Sequence, residues 1–347
     1  MKKIAYIELD THAEIAGNFM ELMHGSKAFE VDYYFSERII KQIGQHHSNI
    51  HLSESTELLN QLDERKYDLI IIGTVHRYFN LFNEITEKFN TSVIVHNSNF
   101  TKISRFQLFK NIFKKDFKYR LKLWLKEDLL SAPKVFEKAK NLLILDEYLA
   151  KELIKYLPLF YFKEFETSQK THVNIIIPGA VDQKRRDYKR VLKKLKSFKS
   201  ANQFGIYFLG KAEGRELQWL KKFEKIKPSN LQLHYFTQKV PQKKFDEFMQ
   251  TADLLWCPIQ RETSFFSNKE IYGQTKMSGN IGDTIKYGKK AIFPKGYTSD
   301  YPFLIPESDD IEQQILENCK GVDYDFKAKF NRHKIAAELE KTLKSLF

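Results

Sequence analysis

Apolar residues recur along the chain in short runs that the intervening polar stretches separate. Ile4–Leu9, Val31–Phe35, Asn49–Leu52, Leu69–Ile72, Ser92–Val95 and Leu142–Leu145 read as strands. Leu69-Ile70-Ile71-Ile72 and Val93-Ile94-Val95 show no polar alternation, which predicts parallel strands covered on both faces. Stretches with helical spacing fill most of the gaps. The stretch 160–170 has little regular pattern, and a second series follows it. Its strands are Val173–Ile177, Gly205–Leu209, Leu231–Tyr235, Leu254–Cys257 and Ala291–Phe293. Its helices are Asp187–Phe198, Gly214–Lys225, Gln242–Gln250 and Gly282–Tyr287, and His333–Leu346 reads as a closing amphipathic helix. Strands alternating with helices predict an α/β chain. Two Rossmann-like doubly wound domains facing across a cleft are expected. They would comprise residues 1–165 and 166–325, with a helix in 326–347 that could pack back toward the first domain.

The 347 residues suffice for two such cores, and 42% of them are hydrophobic. Cys257 and Cys319 are too few for a disulfide framework and suit a reducing compartment. The apolar start is broken by Glu8 and Asp10, so it reads as a buried strand rather than a leader. No run approaches the ~20 apolar residues that cross a bilayer. A formal charge of +13 favours polyanionic partners, which include nucleic acid, anionic lipid and phosphorylated substrates.

In open parallel sheets ligands bind beyond the carboxyl ends of the strands. In the second half, Ile177-Pro178-Gly179 ends a strand and Lys184-Arg185-Arg186-Asp187 opens a helix, so Gly179, Arg185 and Arg186 are candidates for an anion site. An ordinary solvated turn would carry the same residues. Gly210 and Lys211 end the next strand in the same manner. The segment 272–294 runs through a glycine-rich loop into a short helix that stops at Gly288. Its loop amides around Ser278, Gly279 and Asn280, with Lys276 as a point charge, suit a diphosphate. Asp283, expected in the first helical turn, suits ribose hydroxyls, or else merely complements the helix dipole.

This order of elements resembles the C-terminal domain of GT-B glycosyltransferases, with the nearest likeness to family-4-like enzymes. It comprises strand–Pro-Gly, strand–Leu-Gly-Lys, Ala252–Pro258, the glycine loop and Gly288-x-x-Ala291-Ile292. The resemblance covers about 172–295. It implies a hexosyltransferase that takes a nucleoside-diphosphate sugar as donor, without a cofactor and without a bound metal. In that family the second carboxylate of a Glu-x7-Glu motif binds the donor ribose. Asp283 stands there, five residues before Gly288, while Thr275 occupies the first position and departs from the pattern. A histidine that holds the donor sugar in family-4-like enzymes would correspond to His96.

In the first half, Asp10 with His12, Thr74 with His76, His96 with Asn97 and Asp146 with Glu147 all follow strands. A histidine beside a carboxylate could deprotonate an acceptor hydroxyl, so His12 and Asp10 are the alternative catalytic candidates. His46, His47 and His51 read as surface. From Lys102 to Lys126 there are nine Lys or Arg and one acid, interleaved with Phe106, Phe109, Phe113, Phe117, Leu121 and Trp124. If helical, this makes a basic amphipathic surface suited to anionic membrane, or a core helix with a solvated basic side. The expected setting is therefore cytoplasmic, on the inner face of the plasma membrane. The expected acceptor is lipid-linked or a polysaccharide, as in lipopolysaccharide and other cell-surface glycan synthesis.

No Gly-x-Gly-x-x-Gly follows the first strand, there is no P-loop, and no Cys/His cluster has metal spacing. Asp323-Tyr324-Asp325 resembles a metal-binding carboxylate pair but lies past the last strand. A sugar-nucleotide 2-epimerase of the same architecture and a basic nucleic-acid-binding α/β protein are the rival readings. The latter would need a groove with exposed aromatics for stacking, and no nucleic acid is expected.

Overall fold

The computed structural model describes residues 1–45, 47–165, 172–319 and 324–347. His46, Asp323 and residues 166–171 of the anticipated boundary lie outside them. The first half supplies β1 (Lys2–Glu8), β2 (Phe29–Phe35), β3 (Ile50–Leu52), β4 (Leu69–Ile72), β5 (Thr91–Ile94), β6 (Asn141–Ile144) and β7 (Ile154–Tyr156). They form one parallel sheet in the order β3-β2-β1-β4-β5-β6-β7. The second half supplies β8 (Val173–Pro178), β9 (Phe204–Lys211), β10 (Leu231–Phe236), β11 (Leu254–Trp256), β12 (Glu262–Phe265), β13 (Asn268–Ile271), β14 (Ala291–Phe293) and β15 (Leu304–Pro306). Its parallel sheet runs β10-β9-β8-β11-β14-β15, and β12 and β13 pair antiparallel as a separate hairpin. The chain is thus two α/β units with parallel sheets, as the alternating pattern predicts. β4 is buried at every position, which is why its sequence lacks polar alternation.

Both sheets reverse strand order at their centre, between β1 and β4 and between β8 and β11. Those switch points open a crevice at the carboxyl ends. Phe160 leaves the first half and packs where a side chain on Gly282 would stand, and Phe162 does the same at Gly288. The last helix, Arg332–Lys344, lies against the helix Ala13–Met23 of the first half. Arg332 donates to the Glu21 carbonyl at 2.6 Å, and Ser26 to the Glu340 carboxylate at 2.5 Å.

Three local features differ from the sequence expectation. The helix of the glycine segment starts at Gly279, because Ser278 caps it by accepting from the Asn280 amide. Asp283 therefore sits in the second turn, not the first. The basic segment is two helices, Arg105–Ile112 and Phe117–Glu127, separated at Asp116, whose φ is 51°. The hairpin β12–β13 was not anticipated. Its two-residue turn, Phe266-Ser267, has φ of 46° and 57°, the left-handed pair that ordinarily selects Asn-Gly. Among the described residues no helix is long and apolar enough to cross a membrane.

Candidate active site

The first half builds its wall of the cleft from the ends of β1, β4 and β5. Glu8, the last residue of β1, is buried. It accepts from the Thr74 hydroxyl at 2.6 Å and from the amides of Asp10 and Thr11 at 3.2 Å. These bonds fold the chain into a tight turn that ends at His12, held at φ 62°. A left-handed backbone at a non-glycine residue costs about 1–2 kcal/mol and persists only where its surroundings impose it. Burial raises the Glu8 carboxyl to about 8, against the hydrogen bonds that lower it.

His12 stacks on His96, with ring centres 4.0 Å apart and planes 9° apart, and His76 stands 5.8 and 5.9 Å from the two. His96 Nε2 lies 2.9 Å from the Gly73 carbonyl. That carbonyl can only accept, so Nε2 carries the proton and Nδ1 is bare. Burial, then the neighbouring histidines and Lys276, hold His96 well below the usual histidine range and His76 at about 3. His12 is lowered in the same direction by burial and Lys276, but it is the exposed member and cleft water moderates the effect. At neutral pH all three are uncharged imidazoles.

The opposite wall comes from β8, the loop after β13 and the helix Gly279–Tyr287. Gly179 has φ 103°, and the Arg186 guanidinium occupies the space a side chain there would need. Arg186 donates to Asn280 Oδ1 at 3.1 Å, and Asn280 in turn donates to Asp283 Oδ2 at 3.0 Å. Burial and then Glu14 push the Asp283 carboxyl upward, against Asn280, Lys286 and Arg186. Lys276 reaches across the cleft to Asn97 Oδ1 at 2.7 Å and the His96 carbonyl at 3.3 Å. Burial lowers its ammonium to about 8, with Glu270 opposing and Arg185 reinforcing.

These walls enclose a cleft of about 730 Å³. His12, His96, Arg185, Arg186, Lys276, Ser278 and Gly279 line it, as do His76, Thr263, Ser264 and Phe265. Gly179, Asn280 and Asp283 stand behind Arg186 as the network described above. Asp10 is not in the wall. It sits in the field of Arg77, Arg38 and Glu127, and among the described residues it makes no hydrogen bond to His12. Gly210 and Lys211 are also outside the wall. A side chain on Gly210 would collide with the Gly179 backbone, so that glycine serves strand packing. Lys211 pairs with Glu213 at 2.5 Å on the surface. Thr275 spends its hydroxyl on the Ile271 amide at 2.9 Å. Among the described residues no group of three or more His, Cys, Asp or Glu could hold a metal ion.

The hairpin β12–β13 crosses from the second half to the first. Phe266 is 9% exposed and packs with Phe100 at 5.7 Å and Phe79 at 6.2 Å, inside the first half's core. Phe265 lies 4.5 Å from His76. Glu270 is buried and accepts from the Phe100 amide at 2.9 Å and the Asn99 amide at 3.2 Å. His76 was among the post-strand residues expected to line the cleft, and it does; the hairpin was not anticipated.

No protein-family profile and no curated protein sequence matches the chain. Solved structures do. HepE of Anabaena, in complex with UDP, aligns with a TM-score of 0.61 at 11% identity, covering 99% of this chain and 100% of that one. A glycosyltransferase from Rickettsia africae aligns at 0.57 and 8% identity, covering 99% and 97%. The UDP-GlcNAc 2-epimerase of Neisseria meningitidis, bound to UDP-GlcNAc, aligns at 0.54 and 9% identity, covering 99% and 100%. Identities this low speak for the fold alone. With its two parallel-sheet units and the cleft between their switch points, the chain has the GT-B fold of glycosyltransferases.

Proposed function

We propose that the protein transfers a sugar from a nucleoside diphosphate to an acceptor presented at a membrane surface. The observation that carries this reading is the cleft itself: cations and helix amides on one wall, neutral imidazoles on the other. Arg185, Arg186, Lys276 and the amides at Ser278–Gly279 would hold the donor diphosphate and stabilise its charge as the glycosidic bond breaks. Asp283 stands behind that wall and would act on the donor through Asn280, which it helps to hold against Arg186. His12, uncharged and facing the cleft, would accept the proton of the attacking hydroxyl, and the nearby diphosphate charge would raise its basicity as the donor binds. His96 stacks beneath it and holds its ring. Nothing in this route requires a cofactor or a metal.

The membrane part rests on the two basic helices. Phe106, Phe113 and Phe117 are 67%, 57% and 42% exposed beside Lys110, Lys114, Lys115 and Lys118, while Leu108, Ile112 and Leu123 face the core. Exposed aromatic rings among lysines suit an anionic lipid interface. The 2-epimerase reading shares the donor wall and differs in having no use for this surface. A transfer assay tests the proposal. Labelled nucleoside-diphosphate sugars are incubated with the protein and membrane lipids of the source organism. Label entering the lipid or glycan fraction with one donor, and lost in His12→Ala, is expected. Conversion of the free nucleotide sugar to its epimer, with no incorporation, would replace this reading by its rival.

A further inference from the structure

The two halves are stitched together along one short loop of the first. Residues 96–100 follow β5 closely, and each is bonded to the segment 269–276 of the second half. The His96 carbonyl and Asn97 Oδ1 accept from the Lys276 ammonium at 3.3 and 2.7 Å. The Ser98 amide donates to the Thr275 carbonyl at 2.9 Å, and Asn99 Nδ2 to the Lys269 carbonyl at 2.9 Å. The amides of Asn99 and Phe100 donate to the two oxygens of Glu270, at 3.2 and 2.9 Å. Two charges of the second half thus grip neighbouring residues of one loop, Lys276 at its start and Glu270 at its end. The same loop begins with His96, whose ring stacks on His12.

Glu270 is fully buried and takes an amide proton on each oxygen, as suits an ionised carboxylate. No salt bridge joins it to Lys276 among the described residues, yet Glu270 is the charge that opposes the fall of the ammonium. The other groups in that field are Arg185, from the turn after β8, and the imidazoles of His12, His76 and His96, which follow β1, β4 and β5. Arg185 repels the ammonium and the imidazoles are uncharged, so Glu270 alone among them favours it.

We propose that Glu270 is a positioning residue of the donor site: it fastens the 96–100 loop to the second half, keeping Lys276 and His96 in fixed register, and its negative charge holds the Lys276 ammonium ready for the diphosphate. This role rests on the transferase reading, which gives Lys276 the diphosphate, and adds a residue that stands outside the cleft wall.

Glu270→Gln keeps the shape of the side chain and removes its charge. Lys276 is titrated in both proteins by the Cε resonance of 13C-lysine-labelled chain, assigned with Lys276→Arg. Affinity for UDP, with GDP and ADP alongside, is measured from pH 6.5 to 8.5. The wild-type ammonium titrates at about 8. Without the opposite charge its midpoint is expected to fall toward about 7. The diphosphate binds the ammonium and not the amine, so at pH 8 nucleotide affinity should drop about fivefold, while at pH 6.5 the two proteins bind nearly alike. An unchanged Lys276 midpoint would overturn the proposal, and so would a loss of affinity equal at pH 6.5 and pH 8, the mark of a merely structural lesion. Should Glu270→Gln fail to fold, Lys276→Met reads the same coupling from its other partner, because coupling is reciprocal. The Glu270 carboxyl, followed by its own 13C resonance, should then titrate higher than in the wild type, and an unchanged midpoint would overturn the proposal equally. Both titrations need no ligand. Absence of binding by every nucleotide would remove the transferase reading and leave the Glu270–Lys276 coupling to stand or fall on them.

Discussion

Replacing Phe266 by alanine removes the ring by which the second half grips the first. The residue is 9% exposed and sits between Phe79 and Phe100. A buried phenylalanine truncated to alanine typically costs ~3–5 kcal/mol, the lost burial plus a cavity that closes only in part. Because the ring sits at the end of a hairpin that can relax, the lower part of that range, ~3 kcal/mol, is expected here. Phe266→Gly separates packing from backbone. Glycine ordinarily costs ~0.5–1 kcal/mol more than alanine in regular structure. At φ 46° a β-carbon is strained, and its removal recovers about 1–2 kcal/mol. Glycine should therefore be no worse than alanine at this position. Urea unfolding followed by tryptophan fluorescence reads both halves, since Trp124 lies in the first and Trp219 and Trp256 in the second. The wild type should unfold in one transition, and the alanine variant earlier, with the halves beginning to separate. A loss below ~1 kcal/mol, or glycine clearly worse than alanine, would refute the account of the hairpin as a packed clamp on a strained turn.

Acid should destabilise the protein through its uncharged histidines. His76 titrates at about 3 when folded and near 6.5 in an unfolded chain. The unfolded state therefore binds the proton first, and stability falls as pH drops from about 6.5 toward 3. At pH 5 the loss from this residue is on the order of 2 kcal/mol, and His76→Gln should flatten the melting-temperature profile between pH 7 and 5. The same slope in variant and wild type would show that His76 is not held neutral. Replacing Lys114, Lys115 and Lys118 by glutamate should abolish flotation with anionic liposomes and leave nucleotide binding intact. Flotation that survives would remove the basic helices from membrane contact.

Much of this architecture is written in the apolar runs. β4 and β5 are legible because strands buried on both faces can carry no polar alternation. β7 and β15, three residues each at sheet edges, went unread, although β3, equally short and also at an edge, was read within Asn49–Leu52. The hairpin stayed hidden for a specific reason. Its turn should read Asn-Gly and reads Phe-Ser, and the strain is offset by burying Phe266 in the other half, a tertiary gain invisible to local sequence. The cationic wall was legible from its place after β8 and before a capped helix. The surroundings of Asp10 were not, because Arg38 and Arg77 come from segments distant in the chain; Lys211 pairs with Glu213 only two residues along. Glu270 stands at the wrong spacing for a catalytic motif, and the structure gives it the amides of Asn99 and Phe100 to hold.

The central claim is that the cationic wall binds a nucleoside diphosphate. A thermal-shift panel of UDP, GDP, dTDP, CMP and ADP, run on the wild type, Arg186→Ala and Asp283→Ala, tests it most directly. A ligand at 100 times its dissociation constant adds about 2.7 kcal/mol of stability. The account predicts a clear upward shift with one nucleoside diphosphate, reduced in both variants. No shift with any nucleotide, or a shift that both variants retain in full, would contradict it.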